Sequence, residues 1–109
     1  MTKYIPVITR EYSRKIPVDD IIYLEQRQRK LAVITEEGTF CSYQRIENVE
    51  KLLDDRFYHT LKKLVVNLDK IIEAKDQTIT FQDGTELMLG RESYIRTKQI
   101  YAAYLRNLL

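Results

Sequence analysis

Three short stretches carry bases without acids: Arg27-Gln28-Arg29-Lys30, His59 through Lys63, and the tail beyond Glu92 with Arg96, Lys98 and Arg106. An arginine fork bonds bidentately to a guanine edge, and a lysine ammonium pairs with phosphate. Basic segments held by a rigid scaffold therefore have the chemistry to read a nucleic-acid duplex. The competing role for the same side chains is solubility, since lysine on an edge strand also blocks unwanted sheet pairing. Overall charge does not separate the two, because 18 Lys and Arg against 16 Asp and Glu leave only +2. Distribution is more informative. The acids gather elsewhere, at Asp19-Asp20, Glu36-Glu37, Glu47, Glu50 and Asp54-Asp55.

Other chemistries find little support. Cys41 is the only cysteine and His59 the only histidine, so neither an internal disulfide nor a Cys/His zinc cluster can be assembled. Nucleophilic catalysis needs a nucleophile beside a base, but Cys41 lies within a predicted strand and His59 is read as a solvated edge residue. The carboxylate pairs are adjacent in turn-like settings, where neighbouring side chains point apart. Gly38, Gly84 and Gly90 are isolated, which leaves no glycine-rich phosphate loop. No enzyme, metal or cofactor is expected.

The elements that must position the basic stretches follow from periodicity. Apolar runs at Ile21 to Leu24 and Leu31 to Thr35 read as strands flanking a basic connection, Glu25 to Lys30. Glu36-Glu37-Gly38 is a turn, and Thr39 to Tyr43 a half-buried strand. Ile46, Val49, Leu52 and Leu53 have helical spacing, which predicts a short amphipathic helix over Gln44 to Asp54 with Ser42 as an upstream cap. Strands follow at Leu64 to Val66, Ile71-Ile72, Thr78 to Phe81 and Glu86 to Leu89, with turns at Asp76-Gln77 and Asp83-Gly84. Tyr94, Tyr101, Tyr104, Leu105 and Leu108 recur at helical spacing, so a C-terminal helix over Glu92 to Leu109 is entered through Gly90.

At 109 residues, 44% of them hydrophobic and 31% charged, the chain has the size and balance of one globular domain, residues 1-109. Strands and helices do not alternate as βαβ units do, which leaves an antiparallel, mostly-β fold. Neither a bilayer-length apolar run nor a signal-peptide stretch is present, so a cytoplasmic protein is expected, without a membrane partner.

Arg56-Phe57-Tyr58-His59-Thr60-Leu61-Lys62-Lys63-Leu64-Val65-Val66-Asn67-Leu68-Asp69-Lys70-Ile71 resembles the signature of the LytTR family of bacterial transcriptional regulators: an Arg-Phe pair, a polar basic segment, then Val-Asn-Leu and an Ile. Val18 to Glu25 resembles that family's opening strand, Gly38 marks its next hairpin, and Ile46 to Leu53 resembles its short helix. Asp83 to Arg91 resembles its last hairpin with the arginine that follows. The resemblance runs from about Lys3 to the C-terminus. It implies antiparallel strands in small stacked sheets with one short helix and a C-terminal helix, and binding of promoter DNA through loops at one end. Response regulators of two-component systems carry such domains, and two copies on a repeated site are implied. Carried over by position, the DNA-contacting residues are Arg29 with its neighbours Arg27, Gln28 and Lys30; Lys62 with Lys63; and Arg91. The middle segment departs from the family, which often has His, a small polar residue and Ser where this chain has Leu61-Lys62-Lys63. Two lysines favour phosphate over base contact. Asn67 is read as organising its turn, and Glu25 as an ion-pair partner for Arg27. The alternative is a small β protein-interaction module, docking through an apolar face of Tyr94, Tyr101, Leu105 and Leu108.

Overall fold

The computed structural model describes residues 3–109. Strands β1 (Tyr4–Ile8) and β2 (Ser13–Pro17) form a hairpin. Strands β3 (Ile21–Arg27), β4 (Lys30–Thr35) and β5 (Gly38–Tyr43), helix α1 (Ile46–Val49), and strands β6 (Phe57–Leu61) and β7 (Leu64–Asn67) follow. Then come β8 (Ile71–Lys75), β9 (Thr78–Phe81), β10 (Glu86–Met88) and helix α2 (Arg91–Arg106). All strand pairs are antiparallel, in three sheets: β1-β2, the five-stranded β5-β4-β3-β7-β6, and β10-β9-β8.

The run Leu31 to Thr35 is buried without alternation, and a strand with no solvent face must be covered on both sides. Successive side chains point to opposite faces, so the five-stranded sheet feeds two cores. Leu24, Leu31, Val33 and Val65 pack with Ile5, Val7 and Ile16 of the β1-β2 hairpin and with Ile46 and Val49 of α1. On the other face Tyr23, Ala32, Ile34, Leu64 and Val66 pack with Ile79, Phe81 and Leu89, and with Tyr94 and Tyr101 of α2. The rings of Tyr23 and Phe81 stack at 5.8 Å. The result is the expected set of small stacked antiparallel sheets with a short and a C-terminal helix.

Several boundaries differ from the periodicity reading. β3 continues through Glu25, Gln26 and Arg27, because their backbones pair in register with Ala32, Leu31 and Lys30. The basic connection shrinks to a two-residue turn, Gln28-Arg29, with Gln28 at φ 57. Helix α1 spans only Ile46–Val49 and passes into a 3₁₀ turn at Glu50–Leu52. Ser42 does not cap it. That residue stays in β5 opposite Leu31, and Arg45 takes the N-cap position with no side-chain cap bond. Strands β1 and β2 carry no polar-apolar alternation in sequence, since the outward positions of β1 are Tyr4, Pro6 and Ile8 and β2 buries only Ile16; the first strand holds Pro6 and the second ends on Pro17. A two-stranded sheet tolerates them because each strand is an edge. The Asp83-Gly84 turn forms as expected, with Gly84 at φ 92 and the Asp83 carboxylate accepting from Thr85 N at 2.9 Å. Helix α2 begins after Gly90 and buries Tyr94 and Tyr101, while Leu105 and Leu108 are exposed.

Candidate nucleic-acid interface

Sheet register brings the expected segments to one end. β3 and β7 run antiparallel with Glu25 opposite Leu64, so the β3-β4 turn at Gln28-Arg29 and the β6-β7 turn at Lys62-Lys63 project the same way. Gln26 N donates to Lys63 O at 2.8 Å and joins them. With strands about 4.8 Å apart, the two hairpin tips are offset by two spacings, roughly 10 Å. Arg91 reaches this end by a separate route. Near its C-terminal end α2 is anchored by Tyr104 Oη to Asp69 Oδ1 at 2.9 Å and by Tyr101 Oη to the Ile71 carbonyl at 2.7 Å, just beyond the far end of β7. One turn earlier the Thr97 and Thr60 hydroxyls meet at 3.3 Å, near the Lys62-Lys63 end of β6. Arg91 lies six positions before Thr97, about 9 Å further in that direction at the helical rise.

Arg27, Gln28, Arg29, Lys30, Lys62, Lys63 and Arg91 are all exposed. They are not equally available. Arg27 Nε donates to Glu25 Oε1 at 2.7 Å, the expected ion pair, and this bond raises the guanidinium pKa further. The Lys30 ammonium sits 5.1 Å from the centroid of the Tyr43 ring. Arg29, Lys62, Lys63 and Arg91 have no ion pair among the described residues. Four cations without local partners are therefore presented from three chain segments, and an open concavity lined by Arg27, Gln28, Arg29, Lys30 and Tyr43 surrounds the first turn.

Sequence reasoning missed Gln26, Tyr43 and Arg45 at this end. Gln26 Nε2 lies within hydrogen-bond distance of the Gln28, Lys30 and Gln44 carbonyls, and its Oε1 accepts from Ile46 N at 2.8 Å. No sequence pattern announces a side chain whose partners are backbone atoms, one of them 20 residues away.

The remaining motif residues support the scaffold. Asn67 is fully buried. Its Oδ1 accepts from Asp69 N at 3.0 Å, the expected turn role, and its Nδ2 also donates to the Ile21 carbonyl at 2.8 Å, tying β7 to the start of β3. Arg56 grips Asp54 through Nε and Nη2, and its Nη1 is 2.9 Å from Asp19 Oδ1. The Arg56 bonds hold the Asp54 carboxyl below its ordinary range. Cys41 is on β5 and His59 on β6, the two opposite edges of the five-stranded sheet. Four strand spacings, roughly 19 Å, separate them and preclude a Cys/His dyad. His59 instead meets Glu50 at 2.8 Å. Among the described residues no three His, Cys, Asp or Glu side chains converge as metal ligands would, and no helix is long and apolar enough to cross a membrane.

Stacked antiparallel sheets with basic turns gathered at one end define a β scaffold that presents loops. The same fold is found in a solved structure, the LytTr DNA-binding domain of a putative methyl-accepting/DNA response regulator from Bacillus cereus. The TM-score is 0.73 at 19% identity, covering 90% of this chain and 95% of that one. A family model described as the LytTr DNA-binding domain matches residues 11–102, and the chain belongs to that family. It is a DNA-binding family, not a catalytic one. None of the curated protein sequences matches the chain.

Proposed function

We propose that residues 1–109 act as one sequence-specific binder of double-stranded promoter DNA. In this reading the chain works in the bacterial cytoplasm as the output module of a two-component response regulator and catalyses no reaction. One observation carries the reading: exposed cations from three chain segments, four of them without ion pairs, share one end of the scaffold. The β3-β4 tip is a two-stranded ribbon, a shape the major groove of about 12 Å admits. With Arg29 at that tip, a guanidinium can bond bidentately to a guanine edge. Lys62 and Lys63, roughly 10 Å to the side by strand spacing, then meet the phosphates that border the groove, where they add affinity without reading sequence. Arg91 reaches a second stretch of base edges from the start of α2. Two copies occupy a repeated site.

Selection of bound sequences from a random duplex library tests site, specificity and copy number together. The expected result is enrichment of one motif, repeated within the selected duplexes. No enrichment, with passage through a heparin column at low salt, would show that the basic end serves only solubility.

A further inference from the structure

We propose that the junction between β5 and α1 is a further duplex-contacting segment, with Arg45 gripping a backbone phosphate, and that Gln26 is the positioning residue that fixes it to the Arg27–Lys30 turn. The inference rests on the DNA reading above and extends it to residues outside the three segments already assigned.

The starting point is an imbalance. Gln26 is half-buried and has a ladder partner, Leu31, for its place in the sheet. Its side chain nevertheless engages four backbone groups. The amide nitrogen shares two protons among the carbonyls of Gln28 at 2.9 Å, Lys30 at 3.0 Å and Gln44 at 3.0 Å, and the amide oxygen takes the Ile46 N–H at 2.8 Å. Exposed carbonyls such as those of Gln28 and Lys30 would otherwise be satisfied by water, so these bonds add little to stability. What they set is relative position. One side chain holds the turn and the junction as a unit, and the backbone N–H of the same residue reaches Lys63 O at 2.8 Å in the neighbouring tip.

The junction so held offers suitable groups. The Arg45 side chain is 70% exposed, and its acidic neighbour Glu47, 59% exposed, lies at 3.6 Å. Such an exposed pair is weak and readily surrendered to a phosphate. Gln44 Oε1 accepts from Arg45 N at 3.0 Å and from Asn48 Nδ2 at 2.9 Å, which stiffens the local backbone. Tyr43 is 77% exposed and holds the Lys30 ammonium over its ring. Strand order supplies the geometry. β5 and the β6-β7 tip flank the β3-β4 tip on opposite sides, roughly 17 Å apart by strand spacing. That span reaches across a major groove of about 12 Å to both bordering strands. Lys62 and Lys63 hold one border and Arg45 the other, with Arg29 between them.

Two variants test this: Arg45→Ala, and Gln26→Met, which keeps charge and approximate volume while removing every side-chain bond. Affinity is measured against salt on the selected duplex and on a random duplex of equal length, and amide exchange is followed in the free protein. Arg45→Ala is expected to weaken both duplexes alike, roughly eightfold at 0.1 M salt, with a salt slope shallower by about 0.9. Gln26→Met is expected to speed exchange of the Ile46 amide and reproduce that shallower slope, although Gln26 touches no phosphate. An unchanged slope in Arg45→Ala, with the wild type binding normally, overturns this inference alone, and that arm decides even where Gln26→Met fails to fold. Faster Ile46 exchange with an unchanged slope in Gln26→Met overturns the positioning role. Wild-type protein that binds neither duplex overturns the DNA reading and this inference with it.

Discussion

Replacing Asn67 by alanine separates the scaffold from the interface within the most recognisable stretch of the chain. The substitution removes the donor to the Ile21 carbonyl and the acceptor for Asp69 N. Ile21 is fully buried, so its carbonyl is left short of a bond where water does not reach, at a cost of about 1–3 kcal/mol. Asp69 is exposed, and water replaces the second bond, which limits that loss to about 0.5–1.5 kcal/mol. The sum, about 1.5–4.5 kcal/mol, lowers the unfolding midpoint by roughly 6–18 °C for a domain of this length. Thermal unfolding followed by far-ultraviolet circular dichroism measures it. Fluorescence anisotropy well below the midpoint should meanwhile show unchanged affinity and base preference. Asn67 ends β7 three residues beyond Leu64, about 10 Å from the Lys62-Lys63 end. An unchanged midpoint together with altered base preference would mean that Asn67 reaches DNA, and would refute the placement of the interface at the other end.

Arg29→Ala and Arg91→Ala should each cost roughly 1–3 kcal/mol on the selected duplex and relax base preference at one position, as lost bidentate contacts do. Equal losses on random duplex would remove base reading from these residues. Lys62→Ala should weaken binding to all sequences alike and make the salt slope shallower by about 0.9; an unchanged slope would exclude a phosphate contact there. Burial, with the bond to Asp69, pushes the Tyr104 hydroxyl up from 10.0 to about 12. Because the folded-state pKa is raised, the stability tied to the neutral phenol is fully present below about 10 and is lost as pH rises through about 12. Phenolate absorbance during an alkaline titration should show this late step in the wild type, and Tyr104→Phe should lower its amplitude by one tyrosine, with buried Tyr23 and Tyr101 still titrating late.

Much of the scaffold was legible because its signals are local. Asp83-Gly84 supplies the backbone freedom of a tight turn, Gly90 precedes a tyrosine-bearing helical repeat, and two apolar runs flank Arg27 to Lys30. Each depends on residues a few positions apart. The β1-β2 hairpin was not legible, since the outward positions of β1 (Tyr4, Pro6, Ile8) are not polar and β2 buries only Ile16, so neither strand shows the polar-apolar alternation that marks one. The length of α1 was misread because helical spacing continues through Leu52 and Leu53, while the backbone tightens into a 3₁₀ turn at Glu50–Leu52. The C-terminal helix shows the same division. Its stripe of Tyr94, Tyr101, Leu105 and Leu108 looks uniform in sequence, yet the tyrosines are buried and the two leucines are not. Helical spacing places residues on one face but not against a neighbour.

The sequence by itself determined the mostly-β antiparallel class, the family signature and which short stretches carry bases without acids, because residue type and short-range spacing encode all three. Only the tertiary structure decided that those charges share one end. The pairing of β3 with β7 turns Lys62 and Lys63 beside Arg29, and the packing of α2 on β6 directs Arg91 toward them. The same long-range pairing made Gln26 a link between segments and set Asn67 at the opposite end as a buried tie. Hydrogen bonds between strands far apart in the chain depend on register, and register follows from how both faces of the central sheet are filled at once.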